Sequence, residues 1–206
     1  MKVLMINGSP RVSGCTNYAL RCAGEELEAA GVEVELLQIG NKAISGCTAC
    51  GACKKSQRCI IDDMANVVID KLEHSDALIV GSPVYFSSPN ASLLALLDRV
   101  FYSANRNFAY KPGAAIVSAR RGGSSASLEV LWKYFTIAQM PVVSSSYWPM
   151  VHGNNVDEVK QDLEGIQVMR VLGRNMAWML QSIKAGRDSG VVLPQPVERV
   201  HTNFIR

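Results

Sequence analysis

Val3-Leu4-Met5-Ile6-Asn7 runs straight into Gly8-Ser9-Pro10-Arg11-Val12-Ser13-Gly14-Cys15-Thr16-Asn17, after which apolar residues recur at helical spacing from Tyr18 to Ala30. A short apolar run reads as a buried strand and a 3.6-residue period as a helix, so this stretch predicts strand, loop and helix in that order. The loop is a candidate anion cradle. The hydroxyls of Ser9, Ser13 and Thr16, the Asn17 amide, the Arg11 guanidinium and the free N–H groups of a helix start can all donate to a phosphate. A Walker lysine and a G-x-G-x-x-G spacing are both missing, which argues against a P-loop nucleotide hydrolase and a dinucleotide site. Taken alone, these residue types leave simple helix capping open as well.

Working outward, the strand and helix signals keep alternating. Val32 to Leu37 alternates as a half-buried strand, and Asp62-Asp63 can cap a helix that runs to about Glu73. Ala77 to Gly81 is a third strand, followed by Ser82 to Pro89 and a helix with Leu93, Leu96, Leu97, Val100 and Phe101 on one face. Ala114 to Ser118 is a fourth strand, Arg120 to Ser125 a turn, and Leu128, Leu131, Trp132 and Phe135 mark the next helix. Pro141 to Ser144 is expected as the fifth strand, and one helix is expected from about Asp157 to Lys184. The tail from Gly186 to Arg206 has no clear period. Five strands alternating with helices predict an α/β fold, a five-stranded parallel sheet doubly wound into a three-layer sandwich. The 206 residues are expected to form a single domain, with a cysteine-rich insert at about 44–61 and a C-terminal helix and tail at about 157–206.

Composition narrows the function classes. Hydrophobic content of 48% and charged content of 19% fit a globular chain. The net charge of +3 is mild and the basic residues are scattered without an aromatic-basic stripe, which argues against a nucleic-acid partner. The chain enters a core strand at once, with no charged leader, and has no apolar run of membrane-spanning length. A cytoplasmic, reducing location is the expectation, and it disfavours structural disulfides among the six cysteines.

Four of those cysteines, Cys47, Cys50, Cys53 and Cys59, fall within thirteen positions at gaps of x2, x2 and x5. The spacing fits iron-sulfur ligation, and it is more compact than the two separated pairs of a usual structural zinc site. Zinc, thiol-based regulation and a metal-free loop stay open as alternatives. Cys15 at a helix start is a candidate reactive thiol, whereas Cys22 reads as buried filling. Of His74, His152 and His201, only His152 is expected near the ligand end of the sheet. Asp98-Arg99 reads as a surface or subunit-contact pair. Met169, Leu172, Met176, Met179 and Ile183 can cover the sheet or pack on another subunit, so a homodimer or homotetramer is expected.

In a doubly wound sheet the ligand lies beyond the carboxyl ends of the strands. The loops after the first, third and fourth strands should therefore converge. One offers the phosphate cradle, another offers Tyr85 and Phe86 on a backbone stiffened by Pro83 and Pro89, and the third offers Gly122 and Gly123, which let main-chain N–H groups approach a flat ring. That combination suits a flavin mononucleotide, FMN, better than a bare nucleotide.

Gly8-Ser9-Pro10-Arg11 with Thr16, then Gly81-Ser82-Pro83-Val84-Tyr85, then Ser118-Ala119-Arg120-Arg121-Gly122-Gly123 resemble the NAD(P)H-dependent FMN reductase family of flavodoxin-like proteins. The cysteine run ahead of Asp62-Asp63-Met64 is similar to that of the family's iron-sulfur flavoprotein branch, and the resemblance covers about residues 1–150. It implies that Ser9, Arg11, Ser13, Thr16 and Asn17 bind the FMN phosphate. At Cys15 many relatives carry Asn, so the phosphate contact there would be weaker or come from a main-chain N–H. Pro83, Val84, Tyr85, Phe86 and Ser87 would line the ring and ribityl chain, and Ser118, Arg120, Arg121, Gly122 and Gly123 would contact the ring edge. The resemblance further implies NAD(P)H as reductant, chemistry at flavin N5 without a catalytic side chain, and a small acceptor such as a quinone, a nitro or azo compound, or free flavin. The branch implies a second role, in which a [4Fe-4S] cluster on the four cysteines relays electrons between ferredoxin and FMN.

Overall fold

The structure, a computed structural model, describes residues 1–41, 43–195, 197, 200 and 202–205; His201 and part of the expected tail lie outside the described residues. Four apolar residues in each of three runs, Val3–Ile6, Ala77–Val80 and Ala114–Val117, are buried completely or nearly so. Near-continuous apolar runs of this kind belong to strands covered on both faces. They form the centre of β1 (Lys2–Asn7), β3 (Ala77–Tyr85) and β5 (Gly113–Ala119). With β2 (Glu33–Gln38) and β6 (Met150–His152) they make a parallel sheet of order β2-β1-β3-β5-β6. The two-residue β4 (Ser88–Pro89) turns back antiparallel on the end of β3. Among the five parallel strands the order is 2-1-3-4-5, the flavodoxin-like doubly wound arrangement.

Alternate residues along each strand feed two cores. Leu4, Ile6, Leu78, Val80, Ala115 and Val117 face α3 (Met64–Glu73), α4 (Ala91–Ala104) and α5 (Ser124–Ile137). Val3, Met5, Ala77, Ile79, Ala114 and Ile116 face α1 (Cys15–Ala29) and α7 (Leu163–Asp188). Met169, Leu172 and Met176 are fully buried there, so these three cover the sheet and α1. Among the described residues no helix is long and apolar enough to cross a membrane.

Two expectations need correction. Pro141 to Ser144 is not a continuous strand: Val142 makes a single bridge to Gly113, and the outer strand proper is β6. Pro141 has no N–H to give a ladder. Beyond it Ser145 Oγ donates to the Val168 carbonyl at 2.6 Å and Asn175 Nδ2 to the Ser144 carbonyl at 2.9 Å, which draw the chain toward α7. It rejoins β5 where Val117 N–H donates to the Pro149 carbonyl. The expected helix from Asp157 to Lys184 is likewise two pieces, α6 (Val156–Val159) and α7. Asp162 breaks it, because its carboxylate accepts from Gly165 N–H at 2.9 Å as an N-cap and also from His152 N–H at 2.7 Å. A short acid that bonds nearby N–H groups favours a helix start over a helix interior.

Candidate functional site

The three loops expected to converge are tied to one another at the carboxyl rim of the sheet. Gly8 N–H donates to the Gly81 carbonyl at 2.8 Å, and a Cβ on Gly8 would stand 2.8 Å from that oxygen, so this approach of the first loop to the end of β3 requires glycine. Thr16 and Ser118 hydroxyls, both buried, lie 2.8 Å apart and join the start of α1 to the end of β5. The Phe86-Ser87 turn of the β3–β4 hairpin lies against Gly123, where an added Cβ would be 2.7 Å from Ser87 Cα.

Each loop has a local reason for its shape. In the first, Ser9 N–H donates to Asn7 Oδ1 and Ser9 Oγ accepts from Arg11 N–H, both at 3.1 Å, leaving the Ser9 hydroxyl proton free to donate. Gln38 Nε2 fixes the Ser9 carbonyl from β2 at 2.6 Å. Arg11 and Ser13 are exposed and Asn17 is half-buried. The second loop is a hairpin, not the simple strand end at Gly81 expected from the sequence: β3 runs on to Tyr85, and Phe86 and Ser87 both have left-handed backbones, φ 50° and 58°. Two successive positive φ values make the tight turn that matches strand twist. They leave Phe86 wholly exposed at the tip and Tyr85 half-exposed, while Pro83 and Val84 are half-buried. Arg120, Arg121 and Gly122 are exposed beyond β5, and Gly123 precedes α5 with φ 93°.

Two features fit a phosphorylated planar ligand at this rim. Gly14 precedes α1 and Gly123 precedes α5, and neither supplies a side-chain cap, so both helix starts aim first-turn N–H groups outward without a side-chain acceptor. Ser124 Oγ, buried on the first residue of α5, has no hydrogen-bond partner among the described residues. A buried hydroxyl left unpaired within the chain is open to a water or a ligand as its partner. Ser124 was not singled out from sequence; the signal for it was a serine directly after the Gly122-Gly123 pair. Because Thr16 faces Ser118, Thr16→Val is expected to destabilise the fold by about 1–2 kcal/mol in urea unfolding, the cost of stranding the buried Ser118 hydroxyl. Cys15 does not match the expected reactive thiol: burial is the main influence on it and pushes its pKa up, and Sγ approaches the Gly153 carbonyl at 3.8 Å. His152 lies at the end of β6 on this same rim, half-exposed beside Asp162.

The cysteine segment forms a second centre. Cys47, Cys50, Cys53 and Cys59 line one small hollow with Arg99 and Tyr102. Cys53 begins the single turn α2 (Cys53–Ser56). Among the described residues no three His, Cys, Asp or Glu side chains converge on one point as a single ion requires. An iron-sulfur cube instead takes each thiolate at a different corner, and four soft donors standing around one volume fit that demand. Among the described residues the lining carries no carboxylate. Two N–H groups already point at sulfur, Ala49 N–H at Cys47 Sγ (3.4 Å) and Arg99 Nε–H at Cys59 Sγ (3.2 Å).

Asp98-Arg99, expected as a surface or subunit-contact pair, divides: Asp98 is exposed, but Arg99 is buried. Arg99 is 1% exposed, and both of its terminal nitrogens donate to the Asp63 carboxylate at 2.7 Å. Asp98 turns the other way and accepts from the Tyr134 hydroxyl, whose pKa burial and that carboxylate push up. Asp63 also caps α3 as expected, accepting from Ala65 N–H at 2.9 Å, and the Arg99 guanidinium holds its carboxyl below the usual range. The sequence signal for Arg99 was a charged residue inside an otherwise apolar face.

Comparison with known proteins agrees with this geometry. The family described as NADPH-dependent FMN reductase matches residues 1–155. The chain is similar to an iron-sulfur flavoprotein of Methanocaldococcus jannaschii, 31% identical over 198 residues covering 89% of this chain and all of the relative. It is equally similar to an iron-sulfur flavoprotein of Methanosarcina thermophila, 31% identical over 193 residues covering 91% and 100%. Among solved structures, a flavodoxin from the domain Archaea superposes with a TM-score of 0.60 at 16% identity, covering 88% of this chain and 99% of that one. RosB superposes with a TM-score of 0.69 at 14% identity, covering 100% and 94%. The order of the sheet, the three tied loops and the match over three quarters of the sequence lead to one assignment: the chain belongs to the NADPH-dependent FMN reductase family and is a flavin-dependent oxidoreductase.

Proposed function

We propose that the protein is an FMN-dependent NAD(P)H oxidoreductase that reduces a small acceptor, a quinone, a nitro or azo compound or free flavin, and that Cys47, Cys50, Cys53 and Cys59 hold an additional [4Fe-4S] cluster. The observation that carries the flavin part is the pair of helix starts without side-chain caps, one of them bearing the unpaired Ser124 hydroxyl, at the rim where three loops are joined. In this reading Ser9, Arg11, Ser13, Thr16, Asn17 and the Cys15 N–H surround the phosphate, Pro83 to Ser87 lie along the ring and ribityl chain, and Ser118, Arg120, Arg121, Gly122 and Gly123 meet the ring edge. Thr16 acts through its N–H, since its hydroxyl is engaged with Ser118. Bound FMN supplies hydride acceptance from NAD(P)H and the passage from two-electron to one-electron steps. The chain supplies orientation: Gly123 brings α5 N–H groups close, Tyr85 and Phe86 shield a face from water, and the arginines favour added negative charge.

The hollow shared by four thiols favours a second reading, in which the protein carries electrons between ferredoxin and FMN. A cytoplasmic homodimer or homotetramer fits both. Anaerobic purification followed by flavin, iron and sulfide assays and an absorption spectrum tests them together. Yellow flavin bands with a brown shoulder bleached by dithionite support flavin plus cluster; flavin bands alone leave the oxidoreductase without the carrier; protein that binds no FMN refutes the assignment of the rim.

A further inference from the structure

Cys59 is held quite differently from the other three thiols. Cys47 and Cys50 are exposed on a loop and Cys53 sits on a single helical turn. Cys59 is gripped from two helices of the core. Asn66 of α3 takes both sides of its backbone, Oδ1 accepting from Cys59 N–H and Nδ2 donating to the Cys59 carbonyl, each at 3.0 Å. Arg99 of α4 takes the sulfur.

Arginine has five N–H donors in a rigid fork, and here all five directions are used. Nη1 donates to Asp63 Oδ2 (2.7 Å) and the Ser45 carbonyl (3.3 Å), Nη2 to Asp63 Oδ1 (2.7 Å) and the Ile61 carbonyl (2.8 Å), and Nε to Cys59 Sγ (3.2 Å). The buried cation is neutralised by one carboxylate, and its two carbonyl partners lie on either side of the four cysteines in sequence. A neutral thiol is a weak acceptor, a poor use of a buried guanidinium N–H. A metal-bound sulfur carries negative charge and accepts strongly.

We propose that Arg99 is a positioning residue for the cluster, fixing Cys59 as the anchored ligand and raising the cluster's reduction potential through the Nε–H···Sγ bond. This inference rests on the cluster reading of the four cysteines. One-electron reduction adds negative charge to the sulfurs with no proton transferred, and a fixed cationic donor favours the reduced form.

The test compares the parent protein with Arg99→Lys and with the charge-neutral pair Arg99→Gln/Asp63→Asn, all purified anaerobically with FMN. Iron and sulfide content, EPR-monitored dithionite titration, and hydrogen exchange over residues 45–63 are measured. In the variants the reduced-to-oxidised ratio at a fixed potential is expected to fall about tenfold, a shift of ~59 mV for one electron, with loop exchange unchanged. The paired variant guards against misfolding from a stranded Asp63, and Arg99→Lys keeps the charge while moving the donor off the sulfur. Loss of iron with flavin and loop protection intact also supports the proposal. Full iron at the parent potential in either variant overturns it. So does iron loss that merely follows a loosened loop. Iron-free parent protein refutes the cluster reading itself, and this inference with it.

Discussion

A Cys53→Ser protein, purified without oxygen, is expected to contain its full FMN and no iron or sulfide above background. Cys53 is the last of three thiols at two-residue gaps and begins α2, the turn that carries it toward the shared hollow. Serine is nearly isosteric, so the fold has no reason to change; Cys53 Sγ has only a long contact, 3.9 Å, with the Tyr102 carbonyl. The alcohol is far less acidic than a thiol and a harder donor, so it does not replace a thiolate on iron. The flavin is expected to stay because Cys53 is not among the residues that tie the three rim loops together. The expected signature is loss of the dithionite-bleachable shoulder with the yellow bands unchanged. Iron retained at the parent level would show that these thiols are not the ligands.

The second large effect is expected at the opposite centre. Gly123→Val should yield a folded but weakened protein that loses FMN on gel filtration while keeping its iron. Gly123 has φ 93°, a backbone that a β-branched residue adopts only under strain, and its Cβ would overlap Ser87 Cα at 2.7 Å. Backbone strain of about 1–3 kcal/mol adds to a similar cost for forcing the hairpin away. Displacement of Ser87 opens the contact between the second and third loops, so the cost should reach ligand affinity as well as stability. A loss of about 3 kcal/mol in binding is roughly a hundredfold. Equilibrium dialysis with FMN measures the first effect and urea unfolding of the apoprotein the second. Unchanged affinity would place the flavin elsewhere.

Much of this architecture was legible in the sequence because its central strands bury both faces. Val3–Ile6, Ala77–Val80 and Ala114–Val117 read as strands from apolarity alone, and the Asp63 cap from residue type and position. The outer strand was not legible. Pro141-Val142-Val143 carries the stronger β signal, yet the ladder is completed by Met150–His152, and the detour between them is set by side-chain bonds from Ser145 and Asn175 that no local pattern encodes. The break before α7 was missed for a similar reason: Asp162 is compatible with an exposed helix position until His152 N–H also arrives at its carboxylate. In the rim, the residue types pointed to a loop rich in anion donors, but the pairing of Thr16 with Ser118 joins residues 102 apart and had to be seen. Arg99 escaped because adjacent charges on a helix usually read as solvated, while its partners come from residues 36 to 54 positions away.

The broken outer strand also protects the sheet from its own kind. Three paired residues followed by a turn present too short a template for another molecule to extend the ladder in register. At the far border, β2 meets solvent through Glu33 and Glu35, which pair with Lys2 and, for Glu35, with Lys71 as well. Charged side chains on a border strand disfavour the addition of another strand. The brevity of β6 and the charges on β2 both weigh against edge-to-edge extension of the sheet.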